Sequence, residues 1–212
     1  MTTNSFCLAT LLGLPFFGDA RAQLITLEPD NYADNTVLNL VLPQVRLVTA
    51  GDNNLPIPFD VTAVTQTTPF NPPTGQRVFS HVGVPFFNGI RRLRMDFNGT
   101  VAGISIDFQG SIGETDQGRL DVYNSQNVLL DSFLTAPLAG GQTQTMSVTR
   151  LSPDIAYALA FTTLPNLGFG RLDHLVFSTP VPEPSTALVM TLGALGLAGI
   201  SRRERLRART DP

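Results

Sequence analysis

Two histidines, His81 and His174, and one cysteine, Cys7, are the only imidazole and thiol side chains in this 212-residue chain. Each histidine stands alone in a strand-like segment, "RVFSHVGV" and "RLDHLVFST". Asp173 beside His174 is the arrangement of an oriented base. No nucleophile-elbow sequence and no histidine spacing of a metal site accompanies it. On the outward face of a last strand, His174 therefore reads as a polar surface residue. The glutamates are scattered, so paired carboxylates for glycoside cleavage are not indicated. Calcium wants six to eight hard oxygens, and Asp107, Glu114, Asp116 and Asp173 are the residues that could supply some of them. The stretch "GETDQG" lacks the spacing of a calcium loop and reads as a solvated turn. No catalytic residue and no metal ligand is assigned, and calcium stays an alternative.

Binding by charge or by stacking is equally thin. Arg91, Arg92 and Arg94 form a local basic cluster that an anionic polysaccharide would suit, but Asp96 adjoins them and a solvated strand edge accounts for the group. There is no Trp, and Tyr32, Tyr123 and Tyr157 are the only tyrosines. The charged fraction, 15%, is far below the usual level of about 25%. Residues 23–180 hold 8 Arg against 13 acids, whereas residues 181–212 hold 5 Arg against 3 acids. An acidic middle has no electrostatic reason to bind nucleic acid, whose affinity rests on neutralised phosphates.

The elements that would carry these residues divide into three parts. At the amino end, residues 6–17 are apolar and Ala20-Arg21-Ala22 follows, the small-x-small pattern that a signal peptidase cleaves. Residues 1–22 are read as a secretory signal peptide that takes Cys7 away with it, leaving a mature chain without cysteine. At the carboxyl end, residues 185–201 carry no charge. As a helix they would span roughly 25 Å, slightly less than a hydrocarbon core of about 30 Å, so they are read as a single transmembrane helix. Arg202, Arg203, Arg205, Arg207 and Arg209 come directly after it and would stay on the cytoplasmic face, fixing the orientation. Before it, Pro182-Glu183-Pro184 is extended by its prolines, a form that a processing enzyme can read.

In those three parts and in that order, "VPEPSTALVMTLGALGLAGISRRER" resembles the PEP-CTERM sorting signal of exported proteins in Gram-negative bacteria. The resemblance implies that an exosortase reads Pro182, Glu183 and Pro184, that Arg202, Arg203 and Arg205 set the topology, and that the helix is removed. It also implies delivery from the inner membrane to the cell surface or an extracellular matrix.

The middle, residues 23–180, reads as one all-β domain. In "VAGISIDF", Ile104, Ile106 and Phe108 alternate with Ser105, Asp107 and the following Gln109, the period of a half-buried strand. "RLRMDF" is its expected hairpin partner through Asn98-Gly99. "RLDVYN" and "VLLDSFL" flank a turn at Ser125-Gln126-Asn127, and "TQTMSVTR", "AYALAFTT" and "RLDHLVFST" follow. Earlier segments "NTVLNLVLPQVRLV", "FDVTAVT" and "RVFSHVGV" add strands, with Pro43 confining the first to an edge or a broken pair. This spacing predicts a β-sandwich. Residues 89–178 are similar to galactose-binding-like jelly-roll modules, which implies the fold and leaves the ligand open. The expected protein is a structural or adhesive surface component in a biofilm or exopolysaccharide; a module binding exopolysaccharide is the alternative, and a secreted hydrolase the third.

Overall fold

The computed structural model describes residues 22–66, 72–82, 84–111, 115–164 and 169–180. Residues 1–21 and 181–212 lie outside the described residues, and with them the expected signal peptide up to Arg21, the proline–glutamate–proline signal, the helix and the arginine tail. Among the described residues there is no α-helix, and no helix long and apolar enough to cross a membrane.

The strands are β1 (Gln23–Leu27), β2 (Val45–Ala50), β3 (Val61–Thr65), β4 (Arg77–His81), β5 (Arg92–Val101), β6 (Gly103–Gln109), β7 (Gly118–Tyr123), β8 (Leu129–Leu134), β9 (Thr143–Thr149), β10 (Ile155–Thr162) and β11 (Arg171–Thr179). They form a four-stranded sheet in the order β1-β11-β6-β9, a five-stranded sheet in the order β2-β5-β10-β7-β8, and the pair β3-β4. The strand pairs within them are antiparallel. Alternation does the sorting. Ile104, Ile106 and Phe108 of β6 and Met146 and Val148 of β9 meet Leu93 and Met95 of β5 and Leu120 and Val122 of β7 in one buried cluster. Two sheets closing on a common core make a β-sandwich.

Several details depart from the sequence expectation. Asn98-Gly99 does not join β5 to β6. The two strands belong to different sheets, and β5 runs on through Asn98 and Gly99 to Val101. On β10, Tyr157 faces Asp96 and Ile155 faces Val101, so residues 97–100 bulge opposite Ala156. Gly99 has φ +96° there. A tight hairpin and a bulge both ask for positive φ, and the dipeptide cannot tell them apart. Gln109, assigned to the polar face, is buried at 3% exposure. Pro43 precedes β2, which begins at Val45 and is an edge strand as expected. β1, which had no counterpart in the sequence reading, pairs with β11 from Gln23↔Thr179 to Leu27↔Leu175.

The register defines two ends of the sandwich. At one end Gln23 faces Thr179, Gly103 faces both Ser178 and Thr149, and Ile155 faces Val101. The chain enters β1 and leaves β11 side by side at this end, called the tail end below. The last residues of β2, β6, β8 and β10 and the first of β5, β7, β9 and β11 lie at the other.

Candidate functional site

The densest meeting of titratable groups lies where β1 ends, on the flank of β11. β11 is irregular between Asp173 and Val176, and His174 takes φ +47°, a conformation that costs a non-glycine residue free energy. Leu172 and Leu175 both point into the core, and the extra residue between them turns Asp173 inward, where it is fully buried. His174 is the part-exposed polar residue expected, and it is paired. Its Nδ1 lies 2.7 Å from Glu28 Oε2, and its side chain is 38% exposed.

Thr74 ties the two acids together. Its hydroxyl is 2.8 Å from Asp173 Oδ2 and 3.0 Å from Glu28 Oε1, and its backbone N–H donates to Asp173 Oδ2 at 3.0 Å. Asp173 Oδ1 accepts the His174 N–H at 2.8 Å. One hydroxyl proton cannot serve two carboxylates. Both short contacts are satisfied when Asp173 is protonated and donates to Thr74, which donates in turn to Glu28. Burial above all raises the Asp173 carboxyl to about 7, with the Glu28 charge adding and the bonds from Thr74 and His174 opposing. The Glu28 bond, foremost, raises the His174 imidazole above its ordinary value. Alongside, Asp30 Oδ1 accepts the backbone N–H groups of Gln76 and Arg77 at 2.7 and 3.0 Å. Gly75, at φ +45°, passes so close that a Cβ would stand 2.0 Å from Asp30 Oδ2. This arrangement pins the 74–77 segment and fixes the ends of β1 and β11.

Among the described residues the candidate calcium ligands do not assemble. Asp107 takes Thr145 across the β6–β9 pair, and Asp116 accepts the hydroxyl of Thr162. Asp173 is committed to Thr74, and Glu114 lies outside the described residues. Asp116 is not in a solvated turn: it is fully buried, and its backbone bridges to Leu138 in both directions. Among the described residues, no group of three or more His, Cys, Asp and Glu is arranged to hold a metal ion.

His81 faces the core beside Phe59, Phe86 and Phe87, with ring centroids at 6.3, 6.3 and 5.3 Å. It is 1% exposed, and neither ring nitrogen has a partner in hydrogen-bonding geometry. Burial first, then the Arg91 charge, lowers its pKa to about 4; the Phe86 backbone opposes this but is not placed to bond. His81 is a neutral packing group at neutral pH.

The arginine cluster is also not a solvated edge, since β5 is the second strand of its sheet. Arg92 lies 4.5 Å over the Phe161 ring and Arg94 3.9 Å over Tyr157, which stacks on Tyr123 at 4.7 Å. Their Nη1 atoms donate to Asn54, at 2.5 Å to Oδ1 and 2.8 Å to O. These cations hold the 51–56 loop onto the outer face of the five-stranded sheet.

None of these groups forms a nucleophile–base pair, so the recognisable signal lies in the chain beyond β11. Residues 180–206 match the PEP-CTERM protein-sorting motif. The PEP-CTERM match begins one residue past β11 and contains Pro182, Glu183, Pro184, Arg202, Arg203 and Arg205, all six outside the described residues except as sequence. No curated protein matches the chain. Of solved structures, the K2 cleaved adhesin domain of Lys-gingipain is similar with a TM-score of 0.47 and 12% identity, covering 74% of this chain and 100% of that one. The enzymatically active domain of tailspike protein 4 from bacteriophage CBA120 is similar with a TM-score of 0.35 and 11% identity, covering 65% of this chain and 19% of that one. Likenesses this distant carry nothing about ligand or activity.

Sequence reasoning missed Glu28 and Thr74, which come from segments far from Asp173 in the chain. The one available signal was the step from Leu172 to Leu175 in "RLDHLVF", which breaks the period of two and marks the bulge.

Proposed function

We propose that this chain is an exported β-sandwich protein that an exosortase processes at its PEP-CTERM segment, and that the sandwich serves as a structural or adhesive component of the cell surface or extracellular matrix. The observation that carries this reading is the motif match at residues 180–206, which starts where the last strand stops. Export begins with signal peptidase cleavage after Ala22, which leaves Gln23, the first residue of β1, at the amino end. The apolar stretch then serves as a transient inner-membrane anchor, the arginines hold it in orientation, and Pro182, Glu183 and Pro184 are read by the exosortase. We assign no catalytic activity and no resident cofactor. His81, Asp116, Asp173 and the Glu28–His174 pair serve packing and the fixing of strands.

The test is Glu183→Ala in a host that carries the processing enzyme. Cell fractionation and immunoblotting should find a longer, membrane-retained form. Maturation and release at the wild-type size would overturn the sorting reading.

A second reading, recognition of exopolysaccharide, is favoured by an open cleft of about 400 Å³ beside β2. Leu40, Leu42 and Pro43 give it an apolar wall, and Arg46, Asp96 and Asn98 its polar groups. The Arg46 side chain has no ion pair or hydrogen bond among the described residues, so it is a cation available to a sugar carboxylate. Retention of the full chain on an acidic polysaccharide, lost in Arg46→Ala, supports this reading; no retention of the wild type sinks it.

A further inference from the structure

The chain contains two Asn-Gly pairs, Asn88-Gly89 and Asn98-Gly99. The dipeptide is chemically labile, because glycine has no Cβ to shield its amide nitrogen from the asparagine side chain. That nitrogen can attack the side-chain Cγ. A carbon–nitrogen bond forms, the Cγ–Nδ2 bond breaks, and ammonia leaves with the amide proton of the glycine. Water then opens the cyclic imide at either carbonyl, giving aspartate or its backbone-inserted isomer, isoaspartate. Water is the only co-reactant.

The fold treats the two pairs differently. Asn88 is 7% exposed. Its Oδ1 accepts the Ile90 and Arg91 N–H groups at 3.1 and 3.0 Å, and its backbone N–H and C=O exchange bonds with Arg91. Two donors on Oδ1 hold the side chain in its own turn, and burial keeps out the water that the second step consumes.

Asn98 lies toward the tail end of β5, and it and Gly99 are both exposed. They fall in the bulge opposite Ala156, outside the paired register with β10. Gly99 stands at φ +96°, and no atom beyond its chain neighbours lies within 4 Å of where a Cβ would be. Among the described residues the Asn98 side chain has one bond, from Nδ2 to Pro43 O at 3.5 Å, longer than an ordinary N–H···O bond. Little holds its Cγ away from the Gly99 nitrogen.

Asn98 also lines the open cleft beside β2, together with Arg46 and Asp96. Hydrolysis replaces a neutral amide there with a second carboxylate and removes the donor to Pro43 O. Isoaspartate further adds a carbon to the backbone at a residue whose N–H donates to Gln44 O at 2.8 Å.

We propose that Asn98, and not Asn88, is a self-modification site that loses its amide through a cyclic imide with Gly99, and that the carboxylate so formed closes the cleft beside β2 to acidic ligands. The second part rests on the reading of that cleft as a site for acidic polysaccharide. The contact to polysaccharide is then lost with age, with no enzyme required.

Trypsin cuts after arginine and puts the two pairs in separate peptides, residues 78–91 and 95–119, each with a single asparagine. The full chain in mild detergent is incubated at mildly alkaline pH, either folded or in urea, and digested beside an unincubated sample. Mass spectrometry with isoaspartyl methyltransferase labelling reads each peptide. In the folded chain, 95–119 should convert to aspartyl and isoaspartyl forms while 78–91 stays intact; in urea both should convert. A 95–119 peptide that stays intact in the folded chain overturns the site, and equal conversion of the two peptides there overturns the selection of Asn98. Asn98→Gln should abolish conversion and keep retention on acidic polysaccharide, whereas Asn98→Asp should lose retention as Arg46→Ala does. Equal retention of the two Asn98 variants overturns the closing of the cleft. A wild type that is never retained overturns the polysaccharide reading and the closing with it, while the peptide map still decides the modification.

Discussion

His81 permits a quantitative prediction, because its burial and the Arg91 charge act in one direction and outweigh the opposing Phe86 backbone. In the unfolded chain its imidazole titrates near 6.5, and in the fold it is held to about 4. The neutral ring is the form that the fold accepts. As pH falls through 6.5 the unfolded state takes up a proton that the native state refuses, so stability declines from there to about 4 and then levels off. At about 1.4 kcal/mol per pKa unit, the loss is ~3 kcal/mol, a large part of the 5–15 kcal/mol typical of a domain. The assay is urea unfolding of the full chain in mild detergent, followed by far-ultraviolet circular dichroism across that pH range. Wild type is compared with His81→Phe and His81→Leu. Either replacement shifts the neutral-pH stability through packing, yet the difference from wild type should change by ~3 kcal/mol towards acid, in favour of the variants. Parallel curves for wild type and both variants would refute the argument, since a histidine that titrates normally in the fold contributes no such slope.

Asp173 works in the opposite sense: its raised carboxyl contributes stability that is full below its ordinary value of 3.8 and is lost as pH rises through about 7. Asp173→Asn should abolish that decline in the same urea series, and an unchanged slope would exclude the buried, protonated acid. Gly118 and Gly170 sit against the Phe108 ring, where a Cβ would stand 2.3 and 2.2 Å from ring carbons. Gly170→Ala should therefore cost roughly 1–3 kcal/mol by overpacking, seen as a lowered urea midpoint. Arg94→Gln loses the stack on Tyr157 and the bond to Asn54 O, and should loosen the 51–56 loop, read as faster amide exchange there with the core unchanged.

What the sequence made legible follows from what is local. The alternation of Ile104, Ile106 and Phe108 placed β6, and the Ser125-Gln126-Asn127 turn placed the β7–β8 hairpin, with Asn127 at φ +61° as such a turn requires. Strand partners are set by the whole sandwich, so the assignment of β5 to β6 failed although both strands exist. β1 escaped because it directly follows the expected cleavage site, and its five residues are too few for a period to show. The Glu28–His174 contact joins positions 146 apart, with no local pattern announcing it. Asp116 looked solvated because acids and glycines surround it in sequence, while the fold brings Leu138 and Thr162 over it. The sorting segment is the reverse case: its recognition is linear, so sequence alone carried it.

The central claim is that the working protein lacks both of its membrane-directed ends. Intact-mass determination of the form released at the cell surface, in a host with the processing enzyme, tests this directly. The expected species starts at Gln23 and lacks the uncharged 185–201 stretch together with the arginines after it. A surface form whose mass includes residues 185–212 would contradict it.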